Sequence, residues 1–224
     1  MAHAAGKVAR RIVTAVETRT TIALRGLPKT AIPADIRRLC VKGKVESIAN
    51  VAIDYRRFSP TGNAHLTLTS PQHLRAAVRN LNSSMVAAHR ISAFPSSARI
   101  EAPRVRGNKG RVEAAQRGVI SGDGPNGGIN GNTKSVILYG LPGKMTVEAL
   151  TYFLKSYKLA DPTPDMKEII KMELTTGLQT LTSRFLVRLA SGAEAHRLVR
   201  KLHETFYEPE VFDKRYRVRA RVIY

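Results

Sequence analysis

The sequence predicts an α+β protein of two consecutive domains. Each has the element order βαββαβ, an antiparallel four-stranded sheet with two helices on one face. Three observations predict it. The chain repeats itself: Thr21–Pro28 reads TIALRGLP and Ser135–Pro142 reads SVILYGLP. Both are short β-rich runs ending in Gly-Leu-Pro, where Gly and Pro stop a strand. After each run the apolar pattern changes in the same order: helical, alternating, alternating, helical, alternating. Between the copies, residues 96–133 are rich in Gly and Asn and poor in apolar side chains, too poor to offset the entropy of ordering them. The expected organisation is a basic segment 1–19, a domain 20–95, a flexible basic linker 96–133 and a domain 134–224.

In the first copy, Pro33 stands near the start of a helix whose Ile36, Leu39 and Cys40 share one face. The strands ANVAIDY and GNAHLTL follow. In the latter, Ala64, Leu66 and Leu68 point one way, and Asn63, His65 and Thr67 the other. Ser70-Pro71 starts the second helix with a capping hydroxyl and a first-turn Pro; Leu74, Ala77, Val78 and Leu81 form its stripe. His89–Phe94 is the closing strand.

In the second copy, Thr146 is the expected N-cap, with Glu148 in the first turn favoured by the helix dipole. Leu150, Phe153, Leu154 and Tyr157 recur on one stripe. The strands EIIKMEL and SRFLVRL follow; in the second, Phe185, Val187 and Leu189 oppose Arg184, Leu186 and Arg188. Ser191 and Glu194 have capping-box spacing, ahead of the stripe Ala195, Leu198, Val199 and Leu202. The closing strand Tyr216–Tyr224 alternates strictly: Val218, Ala220 and Val222 inward, Arg217, Arg219 and Arg221 outward. Such a stripe is either a solvated face or an anion-binding one, and three arginines on one open sheet favour the second.

Charge gives the function class. The 224 residues carry 37 Lys and Arg against 17 Asp and Glu, a net +20. This repels itself in the compact state, and a polyanion relieves it, each neutralised phosphate releasing a counterion. Nucleic acid is the expected partner. The single cysteine, Cys40, excludes an internal disulfide and a Cys-based zinc site, and its apolar helical setting makes it a core residue. The six histidines have no metal-ligand spacing with acids or cysteine. The linker glycines lack the Lys-Ser/Thr ending of a phosphate-cradling loop. No enzyme, metal, cofactor or small-molecule substrate is therefore expected, and no apolar run approaches the roughly 18 residues of a membrane span.

Residues 1–19 set Lys7, Arg10, Arg11 and Arg19 against Glu17, with Val8, Ile12 and Val16 on one helical face. This resembles a mitochondrial presequence, cleaved before the protein works. The alternatives are a basic arm that touches phosphates and a nuclear location. The linker's Arg104, Arg106, Lys109, Arg111 and Arg117 suit either a plain spacer or a tether that raises the effective concentration of two modules on one strand.

The βαββαβ order, twice, is the ferredoxin-like split pattern. Together with the strand-final Gly-Leu-Pro, it resembles the RNA-recognition-motif (RRM) family over Thr21–Pro95 and Lys134–Tyr224. The resemblance implies a sheet face that binds single-stranded RNA, with aromatics of the two central strands stacking on bases. Here the usual first-strand aromatic position holds Ala23 and Ile137. The third-strand positions hold Asn63 and His65 in one copy and Arg184 and Leu186 in the other. The third-strand Gly is Gly62 in the first copy and Ser183 in the second. His65, Phe94 and Tyr139 are the candidate replacements for stacking. The expected RNA-binding residues are Arg25, Asn63, His65, Arg90 and Phe94 in the first domain, and Tyr139, Arg184, Arg188, Arg217, Arg219 and Arg221 in the second, which is expected to dominate. The apolar, outward Ile137 and Leu186 are candidates for protein contact. The alternative is a structural subunit or assembly factor of a ribonucleoprotein, such as a mitochondrial ribosome, using these domains largely for protein contacts.

Overall fold

The computed structural model describes residues 20–96, 122–129, 133–161, 167–172 and 181–224. The proposed presequence and the five linker cations lie outside the described residues. The chain divides into two compact units, and each contains the expected antiparallel sheet.

The first unit runs β1 (Thr21–Arg25), α1 (Pro33–Lys42), β2 (Ile48–Arg56), β3 (Ser59–Leu68), a 3-10 turn (Pro71–His73), α2 (Leu74–Leu81), a small hairpin of β4 (Met85–Val86) and β5 (His89–Arg90), and β6 (Ser92–Ser96). Strand β7 (Gly124–Pro125) joins the sheet, giving the order β6-β1-β3-β2-β7. Alternate residues are buried: Ile22 and Leu24 on β1, Ala64, Leu66 and Leu68 on β3. Helix α1 packs against β2, and α2 against β6 and β1. The helices bury the predicted faces, Ile36, Leu39 and Cys40 on α1 and Leu74, Ala77 and Leu81 on α2. Burial raises the Cys40 thiol pKa to about 11, since a thiolate there would lose its hydration. The Ser70 hydroxyl accepts the Gln72 amide N–H, as its position before Pro71 predicts.

The second unit runs β8 (Ser135–Pro142), α3 (Val147–Phe153), β9 (Ile169–Lys171), β10 (Thr182–Arg188), α4 (Gly192–Leu202), a short α5 (Pro209–Phe212) and β11 (Arg219–Ile223). Its sheet order is β11-β8-β10-β9, all antiparallel. The core joins Val136, Leu138, Phe185, Val187, Ala220 and Val222 of the sheet to Leu150, Ala195 and Leu198 of the helices. Thr146 caps α3 through the Ala149 amide N–H at 3.2 Å, and Ser191 caps α4 through that of Glu194 at 3.2 Å.

Four differences from the sequence reading have physical causes. Helix α3 stops at Phe153, so only Leu150 and Leu154 of its stripe are fully buried; Phe153 packs edge-on against Tyr207 at 5.0 Å instead. Tyr207 begins an aromatic run through Phe212 to Tyr216 around α5, an element with too few residues to announce a period. The Ser191–Glu194 box is half formed: the Glu194 carboxylate turns to Arg197 and to the Lys158 amide N–H. The expected first closing strand breaks at the buried Ile91, leaving β5 in the hairpin and starting β6 at Ser92.

The repeated Gly-Leu-Pro has one cause in both copies. Gly26 and Gly140 adopt φ +83° and +84°, and a Cβ at either would run into the carbonyl of Arg90 or Arg217, where the closing segment crosses the end of the first strand. Only glycine allows both the left-handed backbone and that approach.

Candidate nucleic-acid interface

Strand registers define which side chains share the face of each sheet turned away from the described helices. In the second unit, Arg221 pairs with Ile137, Ile137 with Leu186, and Leu186 with Ile170, forming a row across four strands. The next row sets Arg219 beside Tyr139 and Tyr139 beside Arg184. On the other side, Ile223 faces Ser135, and Ser135 faces Arg188. An apolar centre thus has Arg221 at the end of its own row, Arg219 and Arg184 on one side and Arg188 on the other.

That centre is closed to solvent. Ile137 and Leu186 are both 0 % exposed, and Ile170 and Ile223 are buried too. Ile137 and Leu186, the candidates for protein contact, are thus buried side chains rather than exposed ones. The buried Ile170 and Ile223 flank them in the sheet.

The cations lie around this centre. The Arg184 guanidinium sits 5.9 Å from the centroid of the half-buried Tyr139 ring, within cation–π range. Burial raises the Tyr139 pKa, while the nearby positive charges of Arg221 and Arg184 oppose that rise. The phenol therefore stays protonated. Arg219 and Arg221 are exposed on β11, and Arg188 is half-buried at the end of β10.

Arg217 departs from the expected stripe. It precedes β11, bridges to Phe206 in the backbone and pairs with the Glu204 carboxylate. Arg219 shares the same acid at 3.5 Å. The outward alternation survives, but two of its three cations share one counter-charge from the turn after α4, a long-range pairing that strand parity cannot reveal.

In the first unit, Phe94, Ala23, His65 and Ala52 form one row across the sheet, and Arg25 pairs with Asn63 and Ser92 in the next. Phe94 is 48 % exposed, with the Arg25 guanidinium 5.7 Å from its ring centroid. His65 Nδ1 and Thr67 Oγ1 are buried atoms without a hydrogen-bond partner among the described residues, polar groups left unpaired at an energetic penalty. Arg90 does not join them. It lies in the β4–β5 hairpin, its guanidinium donating to the Ser83 hydroxyl at 3.0 Å, because the break at Ile91 takes it off the sheet.

Other features carry less chemistry. A cavity of about 920 Å³ at the Pro142 end of the second sheet is lined by Met145, Met172, Tyr207, Phe212 and Tyr216. Lys171, at its edge, donates to the carbonyls of Gly143 and Met145. Among the described residues, no group of three or more His, Cys, Asp or Glu is placed to hold a metal, and no helix is long and apolar enough to cross a membrane.

No protein-family model matches the chain, and no curated protein matches it. Among solved structures, it is similar to RNA recognition domains 1 and 2 of Sex-lethal from Drosophila melanogaster, at 16% identity over 91% of this chain and 99% of that one, with a TM-score of 0.31. It is also similar to the first two RRM domains of the yeast poly(U) binding protein, at 12% identity over 91% and 99%, TM-score 0.32. A third is the N-terminal three RNA binding domains of the yeast splicing factor Prp24, at 12% identity over 92% and 66%, TM-score 0.31. The fold of this chain, two RRM-like βαββαβ units, rests on its own element order and strand registers.

Proposed function

We propose that the chain binds single-stranded RNA through the arginines and aromatic rings at the sheet faces turned away from the described helices, without catalysing a reaction. One observation carries this reading: each face presents an arginine–aromatic pair, Arg25 with Phe94 and Arg184 with Tyr139, in a chain of net charge +20. Guanidinium groups bind phosphate in a forked geometry and stack on bases, and exposed aromatics give bases a flat partner. In the second unit, Arg184 and Arg221 reach phosphates around Tyr139. In the first, Phe94 offers the ring beside Arg25. Interactions with phosphate position the strand and carry little sequence information, so the expected selectivity is weak and the salt dependence steep.

The test is titration of the purified chain with single-stranded RNA across salt, beside Arg184→Glu/Arg221→Glu and Phe94→Ala. The double charge reversal should weaken binding at least tenfold and flatten the log affinity against log salt slope by about 0.7 for each phosphate no longer neutralised. Phe94→Ala should weaken binding by about 1–3 kcal/mol per unstacked base. Unchanged affinity in both variants, with the fold intact, would sink the reading. The second reading, a ribonucleoprotein subunit held mainly by protein contacts, is favoured by Val41 at 77 % and Met85 at 61 % exposure; it requires a complex that survives those substitutions. A mitochondrial location is a further proposal, resting on residues 1–19 alone.

A further inference from the structure

Helix α1, the segment before it and the β4–β5 hairpin enclose a groove within the first unit. Ala31, Leu39, Met85 and Val86 give it an apolar lining, and its volume is about 350 Å³, at the small end of the range for binding pockets. Arg38 and Lys42 stand on its α1 wall. Met85 is 61 % exposed on the hairpin, and Val41, on the adjoining crest of α1, is 77 % exposed. Among the described residues of the first unit only one other large apolar side chain is exposed, Phe94, and it belongs to the sheet.

The hairpin is fixed in place. Met85 pairs with Arg90 and Val86 with His89. At its root the Ser83 amide N–H donates to the Ile91 carbonyl and the Ile91 amide N–H to the Ser84 carbonyl, both at 2.9 Å. Its turn, Ala87-Ala88, has φ +47° and +65°, the left-handed pair that a two-residue hairpin turn requires. A paired backbone therefore holds Met85 beside α1.

The surroundings are cationic. Lys29, Arg37, Arg38 and Lys42 are exposed in and around the groove. The one acid among the described lining residues, Asp35, is already engaged. It accepts the Ile32 amide N–H at 3.1 Å and pairs with Arg38 at 3.2 Å. An apolar lining beside positive charge selects a partner that brings apolar anchors and negative charge together. RNA phosphates would meet the cations but leave Val41 and Met85 in water, and no described aromatic ring lines the groove to receive a base. A second copy of this chain carries net +20. Residues 1–19 hold four Lys and Arg against one acid, and residues 97–121 hold six against two. Like charge opposes docking by any of these.

We propose that the groove between α1 and the β4–β5 hairpin docks an acidic, amphipathic segment of a protein partner. Its apolar side chains cover Met85 and Val41, and its carboxylates face Arg38 and Lys42. Such a segment is read through a few apolar anchors, with charge setting partner choice. The proposal does not rest on the RNA-binding reading; it gives the protein-contact reading a place and a partner chemistry.

The test uses the full chain and a synthetic peptide of about 18 residues with Leu along one helical face and Glu on the other. The control peptide has Lys in place of Glu. The Leu/Glu peptide should bind and shift the methyl resonances of Val41 and Met85, and the Leu/Lys peptide should do neither. Arg38→Gln/Lys42→Gln should weaken peptide binding about tenfold, and Val41→Gln/Met85→Gln about tenfold as well. Arg200→Gln/Lys201→Gln, which removes the same charge from α4, should leave peptide affinity as it is. Neither groove variant should change affinity for a uridine homopolymer. Peptide affinity that is the same in the wild type and both groove variants overturns the proposal, as does a peptide that moves neither methyl group. An equal loss in the Arg200/Lys201 variant also overturns it, since the peptide then follows net charge alone. A groove variant that loses the homopolymer and keeps the peptide makes this an RNA surface and overturns it too. In the first two cases the RNA-binding reading stands; failure of the wild type to bind the homopolymer removes that reading alone.

Discussion

At the scale of single residues, Glu204 decides which arginines are available. Its carboxylate serves both Arg217 and Arg219, while Arg184 and Arg221 form no ion pair with the described residues. Because all these groups are exposed or half-exposed, each pair contributes little to stability, and the acid's main effect is on the local field. Glu204→Gln is therefore expected to leave the melting temperature nearly unchanged and to tighten RNA binding. The slope of log affinity against log salt should steepen by about 0.7 for each freed guanidinium that reaches a phosphate. Weaker binding by that variant would place the RNA elsewhere. None of this could be read along the chain: Glu204 lies 13 residues before Arg217, in a turn that follows a helix, and nothing in either segment announces the meeting.

At the scale of elements, the Gly-Leu-Pro endings and the apolar sheet centre hold the architecture. Gly140→Ala adds a Cβ against the Arg217 carbonyl at φ +84°, and the β8–β10 register already skips there. Such backbone strain typically costs about 1–3 kcal/mol, and a larger loss is expected here because the crossing segment must also move. Chemical denaturation should show a shifted midpoint; a shift of under roughly half a kcal/mol would mean the crossing relaxes freely. Leu186→Ala removes a fully buried side chain from the centre of the second sheet and should destabilise by about 2–5 kcal/mol. A near-zero effect would mean that Leu186 is open to solvent after all. Helix stripes, capping hydroxyls and strand alternation were all legible in the sequence, since each depends on residues a few positions apart. The stopping point of α3, the break at Ile91 and the aromatic run through Tyr207 were not, because each is set by packing between distant segments.

At the scale of the whole molecule, the chain is two similar units with one borrowed strand. Its charge of +20 is read directly from the sequence and is enough to predict a polyanionic partner, because that term sums over residues wherever they lie. The attachment of residues 122–127 to β2 is different: it depends on pairing between segments far apart in the chain, which no sum over residues records.

By itself the sequence determined the α+β class, the doubled βαββαβ order, most helix starts and inward faces, and the basic character of the outward face. These follow from local stereochemistry, periodicity and total charge. Only the tertiary structure decided that Ile137 and Leu186 are enclosed, that Arg217 and Arg219 share an acid, that Arg90 leaves the sheet, and that Phe58 holds the Gly122–Gly127 segment. Each of these is a meeting of residues far apart in the chain, fixed by which surfaces pack and which carbonyls and amides find partners, and no periodicity records it.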